Sequence, residues 1–283
     1  MISLNKSYRT MLDKIRNRFH PLWRLRRSAI FRWFQQKLDP DVCTRIYDTS
    51  VCVKLIRDFG IIANSKNLEK TTRSMLRDIY ANFKIDVFLD VGANIGIYSW
   101  MTRKYCDGQI FMFEPDVTNC RLLLKTIIKN QTKNIYLVPF AVSDRLGISE
   151  YYPDKASGAT GSLVSHASNN SSLHYSYGMK EIVSVPTINL DNFSEYCEGK
   201  NVLLKVDVEG FEKTVLSGSM LLVKKVLPII IIECNQESDL LTLERIGYKK
   251  IKLGENNNYL MIHRTSQILS LVQGKRRTRI KDL

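Results

Sequence analysis

The sequence lacks the long apolar segments and compositional bias that mark membrane-spanning and fibrous proteins. Its longest apolar run, Val226 to Ile232, contains Pro228 and is far shorter than the roughly 18 residues of a spanning helix. No apolar segment follows the basic start, so we expect no signal peptide. Hydrophobic residues make up 44% and charged residues 25% of the 283 residues, which excludes collagen-like and wholly disordered chains. This length predicts one or two domains.

Cysteine and histidine are scarce and are not spaced for a zinc finger. The six cysteines include no Cys-x-x-Cys pair, and no histidine partner stands at zinc-finger spacing. A chain this long builds a core without disulfide bonds. We therefore expect reduced, buried thiols in a cytoplasmic protein.

The charge is concentrated at the two ends of the chain. Residues 1–38 carry ten Lys and Arg against one acidic residue, and residues 264–283 carry six against one. The remainder, 39–263, is balanced at 26 basic and 26 acidic residues. Because nucleic-acid enzymes usually carry basic residues around the cleft, a nucleic-acid partner is not expected. The leader 1–38 also contains Trp and Phe, which favours peripheral contact with an anionic membrane at its inner face, or a helix docked on the body.

The hydrophobic pattern from residue 85 onward predicts alternating strands and helices, and hence an α/β fold. Such alternation is typical of a mainly parallel sheet with helices on both faces, and the apolar runs number seven. The last two predicted strands, 248–253 and 259–263, are joined by a short turn and must be antiparallel. Residues 41–80 are predicted to be mostly helical, and 155–178 to form a lid, a binding loop or a disordered segment. Among these elements, a single strand is predicted over 135–142 and a single helix over 211–226.

A glycine-rich turn, Asp90-Val-Gly-Ala-Asn-Ile-Gly96, follows a predicted strand and opens a helix. Glycines there permit a sharp turn and let a ligand approach the free amides of the helix N-terminus. Glu114 stands 22 residues after Gly92, at the end of the next strand. An acidic residue at that place accepts hydrogen bonds from ribose hydroxyls in Rossmann-like proteins. The pattern predicts a nucleoside site.

Departures from the dinucleotide fingerprint indicate which nucleoside-containing ligand binds. That fingerprint has glycine where this chain has Asn94 and Ile97, and a side chain at 94 crowds a pyrophosphate. Asp90 suits a cationic ligand better than a diphosphate. S-adenosylmethionine has an adenosine, no phosphate and a positive sulfonium, so it is the predicted cofactor.

Six blocks of the sequence resemble FkbM-type S-adenosylmethionine-dependent methyltransferases, in the same order. The blocks are Asp90 to Gly96, Phe113-Glu-Pro115, Ala141-Val-Ser-Asp144, Val185 to Asp191, Lys205-Val-Asp-Val-Glu-Gly210 and Ile231-Ile-Glu233. The resemblance implies a class I methyltransferase (Rossmann-like) fold over 81–263, with a leader and helical extension (1–80) and a basic tail (264–283) outside it. It also implies O-methylation of sugars or natural products, as in polysaccharide biosynthesis. The residues that it assigns to the cofactor are Asp90, Gly92, Ala93, Asn94, Gly96, Glu114, Ser143 and Asp144.

The acceptor side is predicted from carboxylates at strand ends. Asp207 and Glu209 are the candidate catalytic residues, since a hydroxyl acceptor needs a base or a metal to remove its proton. The alternatives are a helix cap for Asp207 and a favourable helix-dipole contact for Glu209. Glu233, Gly161 and Ser162 are candidate substrate contacts. A divalent metal shared by Asp207 and Glu233 is an open alternative but is not predicted, because no histidine completes a ligand set.

Three functions remain open on the sequence alone. The first is O-methylation of a sugar hydroxyl in a glycan, a glycolipid or a related natural product. The second is RNA methylation, prompted by the isoelectric point of about 9.5. The third is a non-catalytic nucleoside-binding module whose basic tails bind a membrane.

Overall fold

The computed structural model describes residues 37–64, 70–154, 161–163, 182–254 and 257–269. The predictions for the basic leader, for most of the polar loop and for most of the basic tail therefore lie outside the described residues. Within these ranges, no helix has the length and apolarity needed to cross a membrane.

Seven strands form the central sheet, as predicted. In chain order they are β3 (Val87–Val91), β4 (Gln109–Phe113), β5 (Ile135–Val138), β9 (Val202–Val206), β10 (Ile229–Glu233), β11 (Tyr248–Lys252) and β12 (Asn258–His263). Their order across the sheet is β11-β12-β10-β9-β3-β4-β5, and β12 is antiparallel to both of its neighbours. The chain reverses direction across the sheet between β3 and β9. Ligands of open α/β sheets bind beyond the carboxyl ends of the strands at such a switch point.

Helices cover both faces of the sheet, which confirms the predicted fold class. They are α1 (Phe59–Asn64), α2 (Lys70–Asn82), α3 (Ile97–Tyr105), α4 (Val117–Asn130), α5 (Ser194–Cys197), α6 (Glu212–Ser217), α7 (Met220–Val226) and α8 (Leu241–Arg245), with 3-10 turns at Leu190–Phe193 and Glu237–Leu240. Successive residues of β3 point to opposite faces. Phe88 packs in one core with α2 and α3, while Val87 and Leu89 pack in the other with α6 and α7.

The prediction that 41–80 is mostly helical is wrong for its first third. The chain forms a hairpin there, with β1 (Asp41–Ile46) antiparallel to β2 (Thr49–Lys54). The turn residues Tyr47 and Asp48 both have positive φ, 47° and 68°, as a two-residue hairpin turn requires. β-Branched residues alternate along both strands, and this period of two was the overlooked signal. The helix expected before residue 80 is present as α2.

Two longer predicted elements are each divided. The helix expected over 211–226 is two helices, because the chain breaks at Gly218 and Ser219. A side chain at 218 would overlap the carbonyl oxygen of Ser143, so the break lets two segments pack closely. The strand expected over 135–142 ends at Val138. Its last residues form β6 (Ala141–Val142), which joins β7 (Gly147–Tyr151) and β8 (Val183–Ile188) in a second, three-stranded sheet.

Candidate active site

A cleft opens at the carboxyl edge of the sheet, where β3, β4 and β9 end. Its space, including the open mouth, is about 550 Å³, within the range of small-molecule sites. The walls are formed by the glycine turn, the segments 113–115 and 140–142, the loop 207–211, and Tyr151 with Gly161, Ser162 and Leu163. Segments that are distant in the sequence therefore meet at the switch point.

The glycine turn is built around residues in left-handed backbone conformations. Gly92 has φ of 75°, and a Cβ there would overlap the carbonyl oxygen of Asp207. Asn94 also has positive φ, 55°, which is uncommon outside glycine and is frequent at functional sites. Its side-chain Oδ1 is buried on the cleft wall and has no hydrogen-bond partner among the described residues. A buried acceptor of this kind is suited to a donor on a ligand.

Glu114 lies beside Asn94 on the cleft wall, where backbone amides donate to its carboxyl group. The amide of Asn94 donates to Oε2 at 2.7 Å, and the amide of Asp116 donates to Oε1 at 2.9 Å. The side chain of Asn119 also donates to Oε1, at 3.4 Å, and itself accepts from the guanidinium of Arg57 at 2.7 Å. Burial raises the pKa of Glu114 to about 7 despite these donors. The carboxyl therefore changes charge near neutral pH.

Asp90, Ala93 and Gly96 belong to the turn but are not among the wall residues. Asp90 is fully buried and accepts a hydrogen bond from the Ser99 hydroxyl at 2.6 Å. Burial raises the pKa of Asp90 above its ordinary value. Ala93 is also buried, and Gly96, with φ of 81°, is the N-cap residue before α3. Their assignment to the cofactor stays a prediction.

Lys205 joins the turn to the acceptor side, and the sequence reasoning missed it. Its ammonium donates to Asp207 Oδ2 at 3.1 Å and lies 3.7 Å from Asp90 Oδ1. It also lies 4.8 Å from the centroid of the Tyr98 ring. A lysine inside an otherwise apolar strand was the available signal, because a buried ammonium needs charged partners.

Asp207 and Glu209 both reach the cleft wall. Asp207 does not cap α6, because that helix begins after Phe211 without a side-chain cap. Glu209 has φ of 48° and keeps part of its surface in contact with solvent. Desolvation of its carboxyl group and the negative charge of Asp207 raise its pKa to about 7. A group with a pKa near neutrality is suited to general acid–base chemistry.

The small-residue segment 161–163 also lies at the cleft. The hydroxyl of Ser162 donates to the carbonyl of Glu209 at 2.8 Å, and Ser162 pairs with Tyr152 in a β-bridge. Gly161 lies against the buried hydroxyl of Tyr151, which a Cβ would overlap. Tyr151 is a wall residue that the sequence did not reveal, since nothing in its neighbourhood distinguished it from a core tyrosine. Its hydroxyl gives this side of the cleft a polar group.

Three further predicted site residues, Ser143, Asp144 and Glu233, are also not among the wall residues. Ser143 is buried and its hydroxyl bonds to Asp144 at 3.2 Å, beside the lining residue Val142. Glu233 is half-buried at the end of β10, and its assignment to the acceptor stays a prediction. Among the described residues, no group of three or more His, Cys, Asp or Glu side chains is arranged to hold a metal ion.

Comparison with known families assigns the chain to a family. Residues 90–249 match the family described as the Methyltransferase FkbM domain, which is more than half of the chain. The chain belongs to the FkbM methyltransferase family. It is therefore a methyltransferase, and both the resemblance noted in the sequence and the class I methyltransferase fold are confirmed. No curated protein sequence matches the chain significantly.

Several solved structures are similar to this FkbM methyltransferase at low identity. Methyltransferase FkbM from Methylobacillus flagellatus KT is 15% identical, with a TM-score of 0.44 over 63% of this chain. The match spans only 44% of that protein. A methyltransferase from Geobacter sulfurreducens is 13% identical, with a TM-score of 0.43 over 73% of this chain and 87% of that one. M. jannaschii TYW2, in complex with AdoMet, is 12% identical, with a TM-score of 0.40 over 78% of this chain and 83% of that one.

Proposed function

We propose that the chain is an S-adenosylmethionine-dependent O-methyltransferase that acts on a sugar hydroxyl of a glycan, a glycolipid or a related natural product. The observation that carries the proposal is the placement of two carboxylates, Asp207 and Glu209, on the wall of the cleft that starts at the glycine turn. Carboxylates are good acceptors for sugar hydroxyls and for the proton that an oxygen nucleophile must lose.

The residues around the turn fit the cofactor. S-adenosylmethionine supplies, when bound, a methyl group on a positively charged sulfur. Glu114 offers free lone pairs to ribose hydroxyls, and the buried Oδ1 of Asn94 offers an acceptor to an amino group. Gly92 keeps the turn against the end of β9, because its site has no room for a Cβ. Three carboxyl groups, those of Asp90, Asp207 and Glu209, outnumber the one ammonium of Lys205 at this end of the cleft, which favours a cation.

The chain's own part in the reaction is to align the acceptor oxygen and to take its proton. Methyl transfer is an in-line displacement, so alignment supplies much of the rate enhancement. We assign proton acceptance to Asp207 and Glu209 acting as a pair, since their charges interact. Lys205 orients Asp207 through the 3.1 Å hydrogen bond. In this proposal the acceptor lies against Tyr151 and the segment 161–163, which also line the cleft.

Transfer of a radiolabelled methyl group tests the proposal. The purified full chain is incubated with labelled S-adenosylmethionine and either a panel of glycans and glycolipids or total RNA. Label in a sugar fraction that is stable to ribonuclease is the expected result, and it should disappear in the D207N variant. Label in RNA would overturn the acceptor assignment. Tight binding of S-adenosylhomocysteine without transfer to either panel would favour the non-catalytic module.

A further inference from the structure

The hairpin on α4 carries two cysteines that directly face each other across its strands. Cys43 on β1 and Cys52 on β2 are partners in the antiparallel register, and their Sγ atoms lie 3.1 Å apart. The amide of Cys52 donates to Thr126 Oγ1 on α4, at 2.9 Å, and not across the hairpin. The two cysteines therefore form a non-hydrogen-bonded pair, in which Cα atoms are about 4.5 Å apart and side chains approach closely. That separation lies within the range that a disulfide bond spans.

The surroundings of the two thiols differ in a way that assigns a role to each. Cys43 is exposed, and the ammonium of Lys129 on α4 lies 3.2 Å from its sulfur. The hydrogen bond from Cys52 and the charge of Lys129 lower the pKa of Cys43, which favours the thiolate. Cys52 is buried, and burial raises its pKa. An exposed thiolate beside a cation attacks oxidants, and a protected thiol in contact with it can complete a disulfide.

We infer that Cys43 and Cys52 are a peroxide-responsive dithiol site, separate from the methyl-transfer cleft. The Cys43 thiolate attacks one oxygen of hydrogen peroxide, which breaks the O–O bond, gives Cys43 sulfenic acid and releases hydroxide. The Cys52 thiol then attacks the Cys43 sulfur, the S–O bond breaks, and water leaves as the disulfide forms. The two sulfurs are together oxidised by two electrons, and the peroxide is reduced to hydroxide and water.

The position of the hairpin gives the disulfide a structural consequence. β2 is attached to α4 by the Cys52–Thr126 bond and by Ser50, whose amide donates to Asn130 Oδ1 at 3.0 Å. β1 is held by Asp41, which pairs with Arg121 and Lys125 on the same helix. A Cys43–Cys52 disulfide would link the two strands covalently, so that the contacts of β1 and of β2 with α4 would support each other. We expect amide hydrogen exchange over 41–54 to slow in the oxidised form.

Peptide mapping of the full chain tests the inference. The reduced protein is treated with hydrogen peroxide, free thiols are blocked with N-ethylmaleimide, and trypsin is added. Trypsin cuts after Arg45, so the two cysteines fall on separate peptides. We expect those peptides to be joined, with the loss of two hydrogen atoms, and to separate on reduction. Cys106 and Cys120 serve as internal references, because they are half-buried and donate to carbonyl oxygens.

Variants separate the two roles. C52S should leave a Cys43 sulfenic acid that dimedone traps, and C43S should leave Cys52 unoxidised. K129M should slow disulfide formation severalfold, whereas K133M, at an exposed lysine of the same region, should not. If Cys43 and Cys52 stay as alkylatable as Cys106 and Cys120, or if Cys43 becomes sulfinic acid while Cys52 stays free, the inference is wrong. Mapping of the unmodified chain decides the matter even where a variant fails to fold.

Discussion

The ammonium of Lys205 lies 3.1 Å from Asp207 Oδ2 and 3.7 Å from Asp90 Oδ1, inside the sheet. It thereby connects β3, which leads into the glycine turn, with β9, which leads into the acceptor side. The lysine side chain is only 7% exposed and that of Asp90 only 1%, so the charges are in a medium where an unpaired carboxylate is costly. One cation thus fixes the relation between the predicted cofactor and acceptor residues.

Replacing Lys205 by methionine should therefore destabilise the protein. Removing one partner of a buried ion pair typically costs about 3–5 kcal/mol, because the remaining charge loses its compensation. K213M, at an exposed lysine, is the matched control and should change stability by less than about 0.5 kcal/mol. Urea unfolding monitored by circular dichroism measures both variants. Equal stability of K205M and K213M would show that the pair is not energetically important.

The Asp207–Glu209 pair should control turnover and its pH dependence. D207N keeps the shape of the side chain, so turnover should fall by about 100-fold or more while the affinity for S-adenosylhomocysteine changes little. Because the pKa of Glu209 is raised to about 7 and the acting form is the carboxylate, kcat should rise as pH increases through about 7. E209Q should flatten that rise. A pH-independent kcat in the unmodified enzyme, or full activity in D207N, would assign catalysis to alignment alone.

Glu114 should make cofactor binding depend on pH. Ribose hydroxyls donate to its carboxylate, so binding requires loss of a proton from a group whose pKa is about 7. Affinity for S-adenosylhomocysteine should then increase by up to about tenfold per pH unit below 7 and level off above it. The raised pKa of Glu114 has the opposite effect on the stability of the fold. The raised pKa favours the protonated carboxyl in the folded state, so this group's contribution to stability is largest below pH 4.5 and declines as pH rises to about 7.

Calorimetry at a series of pH values measures the effect on binding. E114Q should bind more weakly and lose the pH dependence, since its amide cannot accept at both of the positions that Asn94 and Asp116 occupy. A pH profile that is the same in both proteins would exclude Glu114 as the titrating group.

The central sheet was predictable because parallel strands are buried on both faces and read as short apolar runs between helices. β3, β4, β9 and β10 follow this rule. The hairpin β1–β2 was not predicted, because its alternating Val, Thr and Ile residues stand in a segment next to true helices. The second small sheet was missed for another reason. β6 has only two residues, and its pairing with β8 bridges a long stretch of chain that no local pattern reports.

The site likewise contains residues that the sequence predicted and residues that it did not. Gly92, Asn94 and Glu114 were predictable because they stand at fixed distances from strand ends, and all three line the cleft. Tyr151 was not, because the pairing of its strand and the approach of Gly161 are tertiary contacts. Glu233 was predicted from its place at the end of β10, and its role stays a prediction.

The packing at Gly92 should be intolerant of even a methyl group. G92A would place a Cβ on the carbonyl oxygen of Asp207 and would strain a backbone with φ of 75°. We expect a loss of stability of about 1–3 kcal/mol and a displacement of Asp207 that weakens both cofactor binding and turnover. G60A is the matched control, because a Cβ at Gly60 meets nothing within 4 Å. Thermal unfolding and calorimetry compare the two, and equal behaviour would refute the close contact.

The basic leader should attach the enzyme to anionic membranes. Residues 1–38 hold ten Lys and Arg against one acidic residue, whereas 39–263 is balanced, so the positive charge is not distributed to serve the cleft. Each Lys or Arg near an anionic bilayer contributes about 1 kcal/mol, and the Trp and Phe residues of the leader can insert at the headgroup level. We propose peripheral attachment near enzymes that assemble a glycan.

Sedimentation with phosphatidylserine-containing liposomes tests this attachment. The full chain should pellet with the liposomes at low salt and stay in the supernatant at high salt. A chain lacking 1–38 should stay in the supernatant at both salt concentrations and still bind S-adenosylhomocysteine. If the full chain ignores these liposomes at low salt, the leader serves as a docked helix and the attachment does not occur.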